Sequence, residues 1–193
     1  MPAPLTRLAG LCGLLTPVLT LTLIFVAIAL SPWFSWHDNA LSDLGVSATP
    51  NPFNAALLIG GGLYLVLVVF GVRGLIGPGR LARTGFGLLL LGAIALPLIG
   101  IFTETYGRTH YYVAATYFLA TPLGYVLIGR AWLRRGARLS GVLSIAAGVA
   151  ALFAITLVPH RRIAVPEILA ATLMGAWTFS IGVKLWLKES PHE

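Results

Sequence analysis

Six times along this chain, about 20 residues pass with hardly a charge, the length an α-helix needs to cross a bilayer core. The stretches are 8–31, 52–72, 84–102, 109–129, 139–158 and 167–187. The first five hold no Asp, Glu, Lys or Arg; the last has Glu167 where it begins and Lys184 near its end, where a lysine snorkels to the interface. Charged residues are 10% of the whole, against about 25% in soluble domains. That is too few to cover a solvated globule. It also excludes disorder, which needs low hydrophobicity and many charges. Period-2 alternation is absent, which argues against a transmembrane barrel. The expected fold is all-α: an integral membrane bundle of six transmembrane helices, forming one domain over residues 1–193.

The net charge of +7 would suggest nucleic acid in a soluble protein. Here its placement gives another reading. With six spans, both termini lie on one side. That side carries Arg7, Arg73, Arg80, Arg83, Arg130, Arg134, Arg135, Arg138, Lys184 and Lys188; the other carries Arg108, Arg161 and Arg162. Ten cations against three put both termini in the cytoplasm of a multi-pass cell-membrane protein. No nucleic-acid partner is expected. The N-terminal apolar run exceeds a signal-peptide core of about 7–15 residues, so it is read as the first span. The lone cysteine, Cys12, forms no internal disulfide and says nothing of compartment.

The acids run the other way. Asp38, Asp43, Glu104 and Glu167 fall on the expected outer face with His37, His110 and His160, and only Glu189 and Glu193 lie inside. The inner loops hold no carboxylate. Boundary signals agree with the spans: Asn51-Pro52 opens the second, Thr109 is placed to cap the fourth, and Pro166 opens the sixth. Pro17, Pro97 and Pro122 are expected to kink their helices. Gly60-Gly61-Gly62 permits close packing of the second span. Trp33, Phe34, Trp36, Tyr106, Tyr111 and Tyr112 make an outer aromatic belt, and Trp132 and Trp186 an inner one.

The longest outer connection, 32–51, predicts a short interfacial helix from about Trp36 to Leu44. Ser35 caps it with Asp38 as a box-like partner, and Gly45 ends it. On such a helix Asn39, Ser42 and Asp43 share a face at i, i+3 and i+4, with Leu41 and Leu44 turned to lipid or bundle. Two readings stand: the polar residues cap and anchor the loop, or they line a pocket at the top of the bundle.

The remaining outer groups admit the same alternatives. Glu104 lies near an apolar segment and needs a partner, for which Arg108 and His110 are candidates; alternatively Glu104 and His110 line the pocket of Asp43. Glu167 sits in a first helical turn, where the dipole favours an anion. Arg161 and Arg162 depart from the cation-poor outer face and suit a phosphate-bearing headgroup or the outer carboxylates. Three helix N-termini converge on this face, which favours anions of any origin. Asp43, His110 and Glu104 are the candidate catalytic groups, as general acid and base. Asn39, Ser42, Glu167, Arg108 and Arg161 are the candidate ligand-binding ones. No cofactor and no metal site is expected. Zinc is the alternative, from His110, His160, Glu104, Asp43 and Glu167, although no HExxH or CxxC spacing is present.

The string Asn39-Ala-Leu-Ser42-Asp43-Leu-Gly45, followed by Pro52-Phe53-Asn54, resembles the signature of a prokaryotic six-span membrane family known as domain of unknown function 998. Gly100-Ile-Phe-Thr-Glu104 followed by His110, and Pro166-Glu167, resemble that family's pattern too. The likeness covers nearly the whole chain. Where the family carries a proline after the phenylalanine, this chain has Thr103. The Ser42-Asp43-x-Gly45 element is also distantly similar to the DRAM-type and GPI-remodelling membrane family, which implies lipid-associated biology and transfers no catalytic residue.

Three functions compete. The first is an extracytoplasmic polar pocket that binds or modifies a lipid headgroup, with membrane lipids as partners. The second is a non-catalytic membrane subunit whose outer motif is structural and whose partner is another copy or another membrane protein. The third is a small transporter, which needs ionisable residues near the bilayer midplane that these spans lack.

Overall fold

In the computed structural model the chain is all-helical. The structure describes residues 3–47, 51–157 and 163–188. The first helix is α1 (Ala3–Ala29). The second crossing is one continuous rod made of α2 (Asn51–Val66), a π-helical segment (Leu67–Val72) and a last turn, α3 (Arg73–Ile76). Then follow α4 (Arg80–Ile101), α5 (Arg108–Arg134), α6 (Arg138–Leu157) and α7 (Ala164–Trp186). Six of these rods are long and apolar enough to cross a membrane, and the chain is a multi-pass membrane protein.

The helices overrun the expected apolar windows at their basic ends. Arg80 and Arg83 lie inside α4, and Arg130 and Arg134 inside α5. Arginine is a good helix former, and its long stem keeps the charge in the interface while the backbone stays helical. Each crossing packs on the one before and the one after, and α7 returns to α1, so the bundle closes in sequence order. Short connections force this, because neighbours joined by a few residues must lie side by side.

One close crossing is α1 on α7. A Cβ on Gly182 would stand 2.7 Å from the Leu14 backbone nitrogen, and one on Gly13 would stand 2.9 Å from the Gly182 Cα. Only glycine allows the two backbones to meet there. Of the three consecutive glycines, Gly60 packs on Thr20 and Gly61 on Pro97, while Gly62 faces open space.

Inside the ring, Tyr125 stacks on Trp177 at 3.9 Å between centroids. Its hydroxyl lies 3.4 Å from that of Tyr64 and 3.3 Å from that of Thr178. The Trp177 indole donates to Ser144 Oγ at 2.7 Å. These buried polar atoms satisfy one another across four helices, as an apolar surround requires. Trp132 is buried rather than part of an inner belt. It donates to the Leu75 carbonyl at 3.1 Å and, with Arg135 on the Ile76 carbonyl at 2.9 Å, caps the end of α3. Trp186 is exposed, as are Trp33, Tyr106, Tyr111 and Tyr112, whereas Phe34 and Trp36 tuck against the core.

The first long connection differs from the expected helix. Residues 35–39 form a turn, in which Asn39 N–H donates to the Ser35 carbonyl at 3.0 Å. A 3-10 helix (Leu41–Val46) follows. Ser35 and Asp38 do interact, at 2.9 Å, but across the turn. Leu41 and Leu44 both point into the core. Gly45 is not a left-handed terminator. A Cβ there would stand 2.5 Å from Asn54 Oδ1, so the glycine lets α2 approach. At the next connection, Gly107 with φ 53° precedes α5, and Thr109 makes no cap.

Candidate functional site

Four chain segments meet at the end of the bundle where α1 and α4 stop and α2, α5 and α7 start: the 3-10 helix Leu41–Val46, the short 3-10 turn Glu104–Tyr106, the first turns of α5 and the first turn of α7. Ser42, which is buried, donates its hydroxyl to Glu104 Oε1 at 2.6 Å. Asp43 Oδ2 accepts from Asn39 Nδ2 and from the Ala40 backbone N–H, each at 2.9 Å. Asp43 also shares a hydrogen bond with Glu104. Burial, together with that bond and the charge of Asp43, holds the Glu104 carboxyl above its ordinary value, against the opposing pull of Ser42 and His110.

Glu167 reaches back from α7 into the same region. Its Oε2 accepts the Leu41 backbone N–H at 2.8 Å, and its side chain is 7% exposed. The neighbouring Ala164 N–H donates to the Asn39 carbonyl at 3.2 Å. The start of α7 is thus sewn to the loop on both sides of Ala40, within the Asn39-to-Asp43 motif. Asn39 works at both ends of its amide: Nδ2 serves Asp43 and Oδ1 accepts the Ser35 N–H at 2.9 Å. Asn54 Nδ2 donates to the Gly45 carbonyl at 2.9 Å, which fixes the far end of the 3-10 helix to α2.

His110 stands one turn into α5, half-buried, with Nδ1 2.7 Å from the Phe102 carbonyl. A carbonyl only accepts, so Nδ1 carries the hydrogen. In the neutral ring Nε2 is then the lone-pair nitrogen, the form that serves as a base or a ligand.

Ser42, His110 and Glu167 share a cavity of about 50 Å³ with Thr20, Tyr117 and a mainly apolar wall that includes Ile24, Phe53, Leu57, Leu96, Ile99 and Phe118. Such a space holds a few waters. A smaller space of about 30 Å³ lies beside it, sharing Thr20, Leu96, Tyr117 and Ala171 and reaching Tyr64 and Thr178.

A family model described as "Protein of unknown function (DUF998)" matches residues 14–184. The chain belongs to this family. No curated protein and no solved structure matches it.

Within this DUF998 chain the expected site residues divide clearly. Asn39, Ser42, Asp43, Glu104, His110 and Glu167 come together. Arg108 does not; its Nη2 donates to the Tyr112 hydroxyl at 3.0 Å on the exposed side of α5. Arg161, with Arg162 and His160, lies outside the described residues. Among the described residues no three His, Cys, Asp or Glu groups are gathered as metal ligands. Asp43 and Glu104 stand as a pair. Several participants escaped the sequence: the Phe102 carbonyl, the Leu41 N–H, and Thr20 and Tyr117 in the cavity wall. Backbone groups carry no sequence signal, and a threonine or tyrosine in an apolar run looks like filler.

Proposed function

We propose that this end of the bundle is an extracytoplasmic pocket for the headgroup of a membrane lipid. The observation that supports it is the convergence of Ser42, Glu167 and His110, from three separate segments, on a mainly apolar cavity, with Asp43 and Glu104 beside them. A polar rim over an apolar interior suits an amphiphile. The rim is acidic and rich in acceptors, so the headgroup it favours brings donors: an ammonium or several hydroxyls. Glu104, a carboxyl raised chiefly by burial, and His110 stand close together, and these are residue types that acid–base modification of a bound headgroup would use. The cation bias puts this rim outside the cell membrane and both termini in the cytoplasm.

The test is binding of phosphatidylethanolamine by the full chain in detergent micelles. Ser42→Ala and His110→Ala should each weaken it about tenfold, the loss of roughly one hydrogen bond to a charged group. Folded protein should be recovered in both. Unchanged binding in both variants overturns the proposal.

A second reading has an observation of its own. Asn39, Asp43, Glu167 and Asn54 spend their polar atoms largely on the loop's own backbone. On that reading the motif is a structural clasp in a non-catalytic membrane subunit. Ser42→Ala would then lower the melting temperature and change no lipid binding.

A further inference from the structure

Beyond their contact at Gly13 and Gly182, α1 and α7 part. Between them a cleft of about 530 Å³ opens on the outside of the bundle. One wall is Pro17, Val18, Leu21, Thr22 and Phe25 of α1; the other is Thr172, Gly175, Ala176 and Phe179 of α7. The sequence explains its shape. Gly175 and Ala176 remove side-chain bulk from α7, and Phe25 and Phe179 flank the gap. The Thr172 hydroxyl donates to the Ile168 carbonyl at 2.7 Å, so its polar atom is spent on its own helix. The cleft lies within two membrane-spanning helices, so what covers it in a bilayer is hydrocarbon.

Its inner wall is thin. Pro17, Leu21 and Gly175 also line the 30 Å³ space that reaches Tyr64 and Thr178, and that space adjoins the cavity beneath Ser42, His110 and Glu167. A Cβ on Gly175 would stand 3.0 Å from Pro17 Cβ, which marks the constriction between cleft and interior. The three spaces are therefore neighbours, from the lipid-facing surface to the polar rim. From Glu167 to Phe179 the separation along α7 is about 18 Å at 1.5 Å per residue, a distance on the scale of an acyl chain.

We propose that the α1–α7 cleft is a lateral binding site for one acyl chain of the lipid whose headgroup the rim holds. The cleft seats the chain along α7 with its head toward the rim, and the Pro17–Gly175 contact forms the floor on which it rests. This inference rests on the headgroup reading, and the experiment separates the two.

The full chain is reconstituted into vesicles of phosphatidylethanolamine and phosphatidylglycerol in equal parts, doped with a phosphatidylethanolamine carrying a diazirine in one acyl chain. After irradiation, adducts are mapped by peptide mass spectrometry. Labelling of residues 18–25 and 172–179 should exceed labelling of Leu143, Val149 and Phe153 on α6, which are as exposed, by about tenfold, the occupancy ratio of a site preferred by roughly 1.4 kcal/mol. Ala176→Trp fills the cleft from its exposed side and should return its labelling to the α6 level. Thr172→Phe does the same should the tryptophan variant not fold. Equal labelling of cleft and α6 overturns the proposal, as does cleft labelling indifferent to both fillers. The headgroup reading is scored separately. Cleft labelling that is strong with the ethanolamine probe, equal with the glycerol probe and unaltered by His110→Ala keeps the chain site and removes the headgroup preference. Ethanolamine binding that depends on His110 with a cleft labelled no more than α6 does the reverse.

Discussion

Glu104 is a half-buried carboxyl set beside the carboxyl of Asp43 while accepting from the Ser42 hydroxyl. Its folded-state pKa is raised, chiefly by burial. A carboxyl raised in the fold adds stability that is fully present below its unfolded value and is lost as pH climbs through the folded value. The junction between the two loops should therefore weaken as pH rises past the ordinary carboxylate range. Glu104→Gln copies the neutral acid, offering an N–H to Asp43 and a carbonyl to Ser42. The melting temperature of the wild-type chain in detergent should fall across that rise by more than that of Glu104→Gln, whose curve should be flatter. Parallel curves would show that no proton is held at Glu104. Seen this way, Ser42-Asp43 is not a nucleophile with its neighbour. The two side chains reach one partner, Glu104, from a tight 3-10 turn, and no adjacency rule for α-helices describes that.

At the scale of elements, the spans were legible because hydrocarbon thickness imposes a length and a composition that a bare sequence displays. The first outer connection was legible only in its residues. Asn39, Ser42, Asp43 and Gly45 all matter there, yet Gly45 matters for the room it leaves to Asn54, and Ser35 closes a turn instead of opening a helix. Helical periodicity cannot show this, because the loop's form is decided by partners about 60 and 126 residues away, Glu104 and Glu167. The π-helical segment Leu67–Val72 carries no proline and no polar cue, and it too went unseen. The tightness of the clasp makes a prediction. In Gly45→Ala the new methyl meets the Asn54 amide, so either the Asn54 bond to the Gly45 carbonyl breaks or the 3-10 helix lifts from α2. The cost should be about 1–3 kcal/mol, as for overpacking of a filled core, read as a lowered melting temperature. Asn54→Ala in the same chain should recover part of it, because it removes the obstructing amide. A Gly45→Ala variant as stable as the wild type would mean that the contact is slack.

For the whole molecule the decisive asymmetry is between its two ends. The end that carries the Asp43–Glu104 pair and Glu167 has Arg108 as its one described cation, whereas Arg73, Arg80, Arg83, Arg130, Arg134, Arg135 and Arg138 crowd the other. Cations are held back from translocation, so the orientation we propose has the crowded end in the cytoplasm. Orientation decides which solution titrates Glu104: on the proposed one, it is the external medium. Cys12 is buried and is the sole cysteine, so a Cys12→Ser background gives a clean test with single reporters. In intact cells a membrane-impermeant maleimide should label Tyr106→Cys, whose parent residue is 57% exposed beside Glu104. Leu139→Cys, at the exposed start of α6 on the basic end, should be labelled only after the membrane is opened. Labelling in the opposite order would invert the bundle. It would place the acidic rim against the cytoplasm and make the inner leaflet the source of any headgroup it binds.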